Sequence, residues 1–211
     1  MNAEKGVAVG VAIMARAPVA GQAKTRLIPA LGAAGAAALQ RWLLRRTLTT
    51  ALAAGVGPIT LWCAGGMTHP EFASCRASGK VLLREQPKGD LGARMLEAVR
   101  AAAPSGSLII GTDCPVLTPR HLQQAAASLR RQDAVVIPAD DGGYVLIGMR
   151  QAAIEAFSDI EWGGANVMAQ TRCRFEALKW RWSEQDSLWD VDRPDDVERL
   201  LLSFPEVRTM L

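Results

Sequence analysis

Short apolar runs rich in β-branched residues alternate along this chain with Ala/Leu-rich stretches at helical spacing, and that alternation leaves few folds open. The strand candidates are Val7–Ile13, Ile59–Trp62, Val81–Leu83, Ser107–Thr112, Ala134–Ile137, Tyr144–Ile147 and Leu178–Trp182. Between them lie helical segments over Ala33–Ala54, Leu91–Ala103, Thr118–Leu129, Ala165–Phe175 and Pro194–Leu202, with at most one short turn in the loop Gly65–Gly79. Gly55 and Gly57 stop the first helix, and Thr118-Pro119 supplies an N-cap hydroxyl with proline at the first helical position. Fully apolar strands need cover on both sides, which strands of an antiparallel meander do not. The pattern predicts an α/β chain: a Rossmann-like three-layer α/β/α sandwich on a mostly parallel sheet, with residues 1–211 as one domain.

Composition narrows the partners. With 211 residues and 49% hydrophobic side chains against 21% charged, the chain can bury a core without staples, and disorder, collagen and coiled coil are excluded. The net charge of +3 comes from 24 basic and 21 acidic side chains that form no basic block, so no nucleic-acid partner is expected. Cys63, Cys75, Cys114 and Cys173 are widely spaced, and with His69 and His121 as the only histidines no zinc pattern appears. Reduced thiols in the cytoplasm are the expectation. Lys5, the run Gly6–Met14 and Ala15-Arg16-Ala17 also match the outline of a secretory leader, but a buried strand accounts for the run better. No other stretch approaches 18 apolar residues, so no membrane span is expected.

In open α/β sheets ligands gather beyond the carboxyl ends of the strands, so the residues after each strand carry the chemistry. After the first strand, Ala15–Leu27 brings Lys24, Thr25 and Arg26 behind Gly21, cations and a hydroxyl suited to polyphosphate. Neither GxxxxGK[ST] nor GxGxxG is present, and a solvated basic loop is the competing reading. After the central strand comes Gly111-Thr-Asp-Cys-Pro115, where Asp113 is either a magnesium ligand or the first residue of an Asx turn. In Asp190-Val-Asp-Arg-Pro-Asp-Asp196, Asp195 and Asp196 suit a helix start. An extended segment is read as sending only one of Asp190 and Asp192 into a site, and Asp192 could share a metal with Asp113. Gln86–Arg94 is a glycine-punctuated loop opening a helix, compatible with contacts to a base or ribose and equally with a plain turn.

Other residues have simpler readings. Trp180 and Trp182 alternate and suggest core or interface, and Trp42 and Trp62 core. Cys114 reads as a small buried side chain, His121 as exposed, and Arg41, Arg45 and Arg46 as the solvent side of the long helix. The acidic residues from Glu184 to Glu198 are mainly a solvated face and a helix start.

Taken together and in order, Ala17–Leu27, Gly89–Met95, Gly111–Pro119, Asp141–Gly148 and Asp190–Asp196 resemble the nucleotide-diphospho-sugar transferase superfamily, the A-type glycosyltransferase fold. More narrowly they resemble a small bacterial glycosyltransferase-like family within it, whose cousins include guanylyl- and cytidylyltransferases. The likeness spans about Val11 to Leu201. It implies that Lys24 and Arg26 hold nucleotide phosphates, with Ala17, Pro18, Gly21, Thr25 and Thr112 beside them. Gln86, Gly89, Asp90, Gly92 and Arg94 would line the nucleoside pocket. Asp113 would be the main ligand of Mg²⁺ or Mn²⁺, with Asp192 as the second carboxylate. Gly142, Gly143, Tyr144 and Trp162 would face the acceptor, and Asp141 would act as base toward it.

The chain departs from the family pattern in three places. Arg193 and Gly164 replace hydroxyl residues, and Val145 an aromatic; the last helix thereby loses its N-cap. The resemblance implies a divalent-cation-dependent transferase taking a nucleotide sugar and a small-molecule acceptor. The alternatives are a nucleotidyltransferase taking a nucleoside triphosphate, and a non-catalytic nucleotide-binding module. A homodimer is compatible with all three.

Overall fold

A computed structural model describes residues 8–77, 80–102 and 106–211. Seven strands form one sheet: β1 (Gly10–Arg16), β2 (Ile59–Ala64), β3 (Val81–Glu85), β4 (Ser107–Ile110), β5 (Ala134–Pro138), β6 (Tyr144–Met149) and β7 (Trp182–Glu184). Their spatial order is β3-β2-β1-β4-β6-β5-β7, and β6 alone runs antiparallel to its neighbours β4 and β5. The consequence is functional: the start of β6, at Tyr144, lies at the same sheet edge as the carboxyl ends of β1, β2 and β4.

Among the described residues the sheet is joined by the α-helices α1 (Ile28–Ala54), α2 (Pro70–Ala77), α3 (Leu91–Arg100), α4 (Pro119–Leu129), α5 (Val167–Ala177) and α6 (Pro194–Ser203). Strand residues alternate between the faces. Val11, Ile13, Leu108 and Ile110 join Leu44 and Leu48 of α1, Phe72 of α2 and Leu122 of α4 in one core. Ala12, Ile109, Val136 and Ile147 join Met95 and Val99 of α3 and Phe175 of α5 in the other. The three-layer sandwich expected from sequence is therefore present.

A third cluster explains the composition of α1. Leu39 and Leu43 turn away from the sheet to pack on Val197 and Leu200 of α6, with Trp189, Val191 and Val207. Clad on two sides, α1 is apolar over much of its circumference. By length and hydropathy the Thr25–Ala54 segment could cross a bilayer, with a mean hydropathy of 1.3. The expectation that nothing reaches membrane-span composition therefore needs correcting, although in this fold the helix is sandwiched between layers.

Several expected boundaries shift. The loop after β2 holds a full eight-residue helix, α2, rather than a single turn. The strand expected at Leu178–Trp182 begins only at Trp182: α5 runs to Ala177, Leu178 caps it, and Lys179 takes a left-handed φ of 55°. Trp180 then folds back on Phe175 with ring centroids 5.4 Å apart, and Trp182 meets the same ring at 5.6 Å, so both belong to the core. Trp62 is buried as expected. Trp42 is half-buried against Phe204. Val7, Gly79 and Ala103, and with them the first residues of the leader-like segment, lie outside the described residues.

The arginines of α1 are not simply a solvent face. Arg41 and Arg45 close on the buried Glu71 of α2 at 3.2 and 2.5 Å. Arg46 donates to the Pro115 carbonyl at 2.5 Å and lies 4.2 Å over the Phe204 ring. His121 is half-buried rather than exposed: its Nδ1 accepts the Thr118 amide while Thr118 Oγ1 accepts the His121 amide, closing a capping box. At α6, Arg193 offers no side-chain cap, and Asp196 reaches back to accept the Asp192 and Arg193 amides.

Candidate functional site

The chain after β1 turns tightly, with the Gln22 and Ala23 amides both donating to the Val19 carbonyl. Ala23 and Leu27 are fully buried on either side of Lys24, and they hold this lysine in the left-handed region at φ 48°, ψ 44°. A non-glycine residue there costs about 1–2 kcal/mol. The outcome is an ammonium aimed inward. Lys24 Nζ lies 2.8 Å from Asp113 Oδ1 and donates to the Val191 carbonyl at 2.5 Å, with only 5% of the side chain exposed.

Asp113 is positioned from several sides. Thr112 Oγ1 donates to its Oδ1 at 3.1 Å, and Gln40 of α1 donates to both Thr112 Oγ1 and the Arg16 carbonyl at 3.2 Å. The Asp113 carbonyl accepts the Val191 amide at 2.9 Å, which ties the loop after β4 to the segment before α6. These partners do not make an Asx turn. Arg26, next but one to Lys24, pairs with Asp192. Its side chain is 64% exposed, and an exposed pair of this kind is worth about 0–1 kcal/mol, so it is readily exchanged for another partner.

Asp190 and Asp192 both face the site while Val191 is buried between them. The expectation that only one enters is wrong, because residues two apart in extended chain share a face. Burial pushes the Asp190 carboxyl up to about 6, reinforced by the negative charges of Asp141 and Asp113 and opposed by Lys24.

These groups line a cavity of about 630 Å³ across the carboxyl ends of β1, β2 and β4. Lys24, Thr25, Arg26, Gln86, Arg94, Thr112, Asp113, Tyr144 and Asp192 are in its wall. Gln86 bridges two strand ends by donating to the Ala15 and Trp62 carbonyls at 3.3 and 2.9 Å, and Arg94 Nε donates to the Gly89 carbonyl at 3.0 Å. Sequence reasoning did not single out Arg16, Gln22, Gln40 or the apolar floor of Met14, Leu91, Met95 and Ile109. Gln40 and Met14 lie in no motif, and Met95, at the end of Gly89–Met95, carries no polar group to mark it, so these residues are recognisable only once helices and strands are stacked.

Other candidates stand outside the wall. Ala17, Pro18, Gly21 and Gly89 are among them. Asp90 caps α3 by accepting the Ala93 amide at 2.8 Å. Gly92 makes room for a tryptophan, since a Cβ there would lie 2.7 Å from Trp162 Cζ2. Asp141 accepts the Gly143 amide at 2.9 Å, and Gly142 and Gly143 complete that turn. Trp162 sits one layer out, edge-on to Tyr144 at 6.5 Å, with its Nε1 buried and unpartnered. Tyr144 itself faces the cavity, and its hydroxyl donates to Met95 Sδ at 3.7 Å. Cys114 is buried with its thiol pushed up to about 12, consistent with a packing role. Among the described residues, no group of three or more His, Cys, Asp or Glu side chains is arranged to hold a metal.

Comparison with known proteins concerns the fold. The fold matches a provisionally assigned nucleotide-diphospho-sugar transferase from Desulfovibrio desulfuricans G20 at TM-score 0.79 and 26% identity, over 88% of this chain and 82% of that one. A nucleotidyl transferase from Methanothermobacter thermautotroptrophicus shares the fold at TM-score 0.62 and 16% identity, over 95% and 99% of the two chains. So does Rv0371c from Mycobacterium tuberculosis, in complex with manganese, at 0.52 and 18%, over 92% and 99%. No curated protein sequence matches the chain. Residues 47–164 match the family described as "Uncharacterized protein conserved in bacteria (DUF2064)". The chain belongs to that bacterial family and carries the fold of the nucleotide-diphospho-sugar transferases.

Proposed function

We propose that the protein is a divalent-cation-dependent transferase that takes a nucleotide-activated donor and passes its sugar to a small-molecule acceptor. The observation that carries the reading is the pairing of Lys24 with Asp113 and of Arg26 with Asp192 at the mouth of a cavity beyond the strand ends. It supplies cations for phosphate and carboxylates for a metal in one place. The chemistry of the donor set suits magnesium or manganese, which favour one or two carboxylates together with phosphate oxygens and water. Asp113 and Asp192 would hold the ion, and an ion so bound neutralises charge on a departing diphosphate.

The chain's own residues divide the remaining work. Lys24 and Arg26 bind phosphate oxygens and share the charge that builds as the bond to the donor breaks. Gln86, Thr112 and Arg94 shape the donor pocket, and Tyr144, backed by Trp162, closes the acceptor side. In glycosyl transfer the acceptor oxygen attacks the anomeric carbon, the carbon–oxygen bond to the diphosphate breaks, and the acceptor proton leaves to a carboxylate. Asp190 lines the cavity and is placed to take that proton, whereas Asp141 is engaged in its own turn. Among the described residues Cys63, Cys75, Cys114 and Cys173 form no disulfide, which fits a cytoplasmic setting.

One observation favours a second reading. Asp141 stands off the cavity wall and Asp140 pairs with Arg199 at 3.3 Å, so the turn that was expected to supply a base is otherwise occupied. Nucleotidyl transfer, in which a substrate phosphate attacks the α-phosphorus and pyrophosphate leaves, needs positioning and charge more than a base. Incubation with nucleoside triphosphates and with nucleotide sugars separates the two. Diphosphate release from a nucleotide sugar supports the first, pyrophosphate release from a triphosphate the second, and neither in the presence of magnesium and acceptor panels would sink both.

A further inference from the structure

Both carboxylates assigned to the metal are already paired with a cation, and both cations come from one short segment. Lys24 and Arg26 lie two residues apart, while Asp113 and Asp192 lie on different loops joined by the Val191–Asp113 hydrogen bond. Lys24 is the more committed of the two. It is nearly buried, and it contacts both loops at once, Asp113 through the carboxylate and Val191 through the carbonyl. Any cation approaching Asp113 meets an ammonium 2.8 Å from one of its oxygens.

We infer that Lys24 and Arg26 compete with the divalent cation for Asp113 and Asp192, so that the metal binds poorly by itself and binds well only with a polyphosphate that draws the two side chains away. The inference rests on the proposed metal role of Asp113 and Asp192. A dication placed beside a fixed ammonium is repelled, and a carboxylate shared with that ammonium has less charge to offer. Polyphosphate reverses both effects. Its oxygens accept from the ammonium and the guanidinium, freeing the carboxylates, and they add ligands of their own to the ion. Metal and phosphate thereby help each other to bind, by the same factor in either direction. The segment 24–26 acts as an exchange switch between carboxylate and phosphate.

The test uses Mn²⁺ alone, followed by loss of its free-ion electron paramagnetic resonance signal, on the whole protein and three variants. Wild type binds weakly. Lys24→Met binds roughly tenfold more tightly, within the range of ordinary coupling between sites, and Arg26→Gln about threefold, as an exposed ion pair allows. Arg26 is mostly exposed, so its variant keeps the test open even if Lys24→Met fails to fold. Asp113→Asn loses binding. In thermal unfolding, pyrophosphate and Mn²⁺ together raise the wild-type midpoint by more than the sum of their separate shifts, and in Lys24→Met the shifts merely add. Equal or weaker Mn²⁺ binding by both Lys24→Met and Arg26→Gln overturns the exchange while leaving the metal site standing. Unchanged binding by Asp113→Asn overturns the metal site itself.

Discussion

Gly142 and Gly143 stand side by side in the same Asp-Asp-Gly-Gly turn, yet the structure gives them opposite tolerance to one added carbon. Gly142 has φ +93°, and an ideal Cβ there would sit 2.0 Å from the Ala165 carbonyl oxygen and 2.8 Å from its carbon. Neither partner can retreat cheaply, because the Gly142 carbonyl accepts the Met168 amide at 2.8 Å and so anchors the first turn of α5. For Gly142→Ala the left-handed backbone costs about 1–2 kcal/mol. Forced displacement of packed atoms adds about 1–3 kcal/mol, and weakening of the anchoring hydrogen bond about 0.5–1.5 kcal/mol. These terms overlap, and about 3–5 kcal/mol is the expected total. In a chain of this size each kcal/mol moves the midpoint by about 2–4 °C, so the thermal transition should fall by roughly 10 °C. Gly143→Ala meets only the Asp141 carboxylate of its own turn at 3.2 Å, and φ at Gly143 is not positive, so its midpoint should stay within about 2 °C of wild type. Calorimetry or circular dichroism on the pair decides it. Equal midpoints for the two variants, or a Gly142→Ala midpoint within 2 °C of wild type, would refute the argument that this turn is locked against α5.

Asp113→Ala and Lys24→Ala should each abolish turnover with a verified donor while retaining the native circular dichroism spectrum; near-wild-type rate in either variant would remove that residue from the mechanism. Arg46→Ala removes a hydrogen bond to the Pro115 carbonyl and a stacked guanidinium, which should cost about 2 kcal/mol in urea unfolding, and Arg46→Lys should recover less than half of it because lysine lacks the planar fork. The thiols of Cys63, Cys75 and Cys114 are buried and pushed up to about 12, 11 and 12 by that burial, so in the native protein at neutral pH a maleimide should label Cys173 alone. Mass spectrometry should show four labels only after unfolding, and rapid native labelling at Cys114 would contradict its packing beside the site.

The layers of the fold were legible because each rests on local periodicity. Runs such as Ala134–Ile137 have no polar face, so they had to be covered on both sides, and α1 through α5 supply the cover. Where one side chain answers to a distant partner, local pattern misleads. Trp180 and Trp182 alternate like strand residues, yet Trp180 is placed by Phe175 of the preceding helix, and the strand starts at Trp182, four residues after the expected Leu178. Arg41 and Arg45 do lie on the solvent side, and what the pattern hides is their pairing with the buried Glu71, on a helix the sequence hardly announced.

The site illustrates the same limit and also a way past it. Lys24 and Arg26 were expected as phosphate ligands and Asp113 and Asp192 as metal ligands, and in isolation those roles look independent. In the fold β1 lies beside β4, so the loops that follow them share one edge and cannot avoid each other. An ammonium as buried as Lys24 must find a partner, because leaving it unpaired would be far costlier than pairing it with the carboxylate of the neighbouring loop. Strand adjacency therefore converts two separate ligand assignments into a competition for the same carboxylates, and the balance of that competition is what a bound polyphosphate would shift.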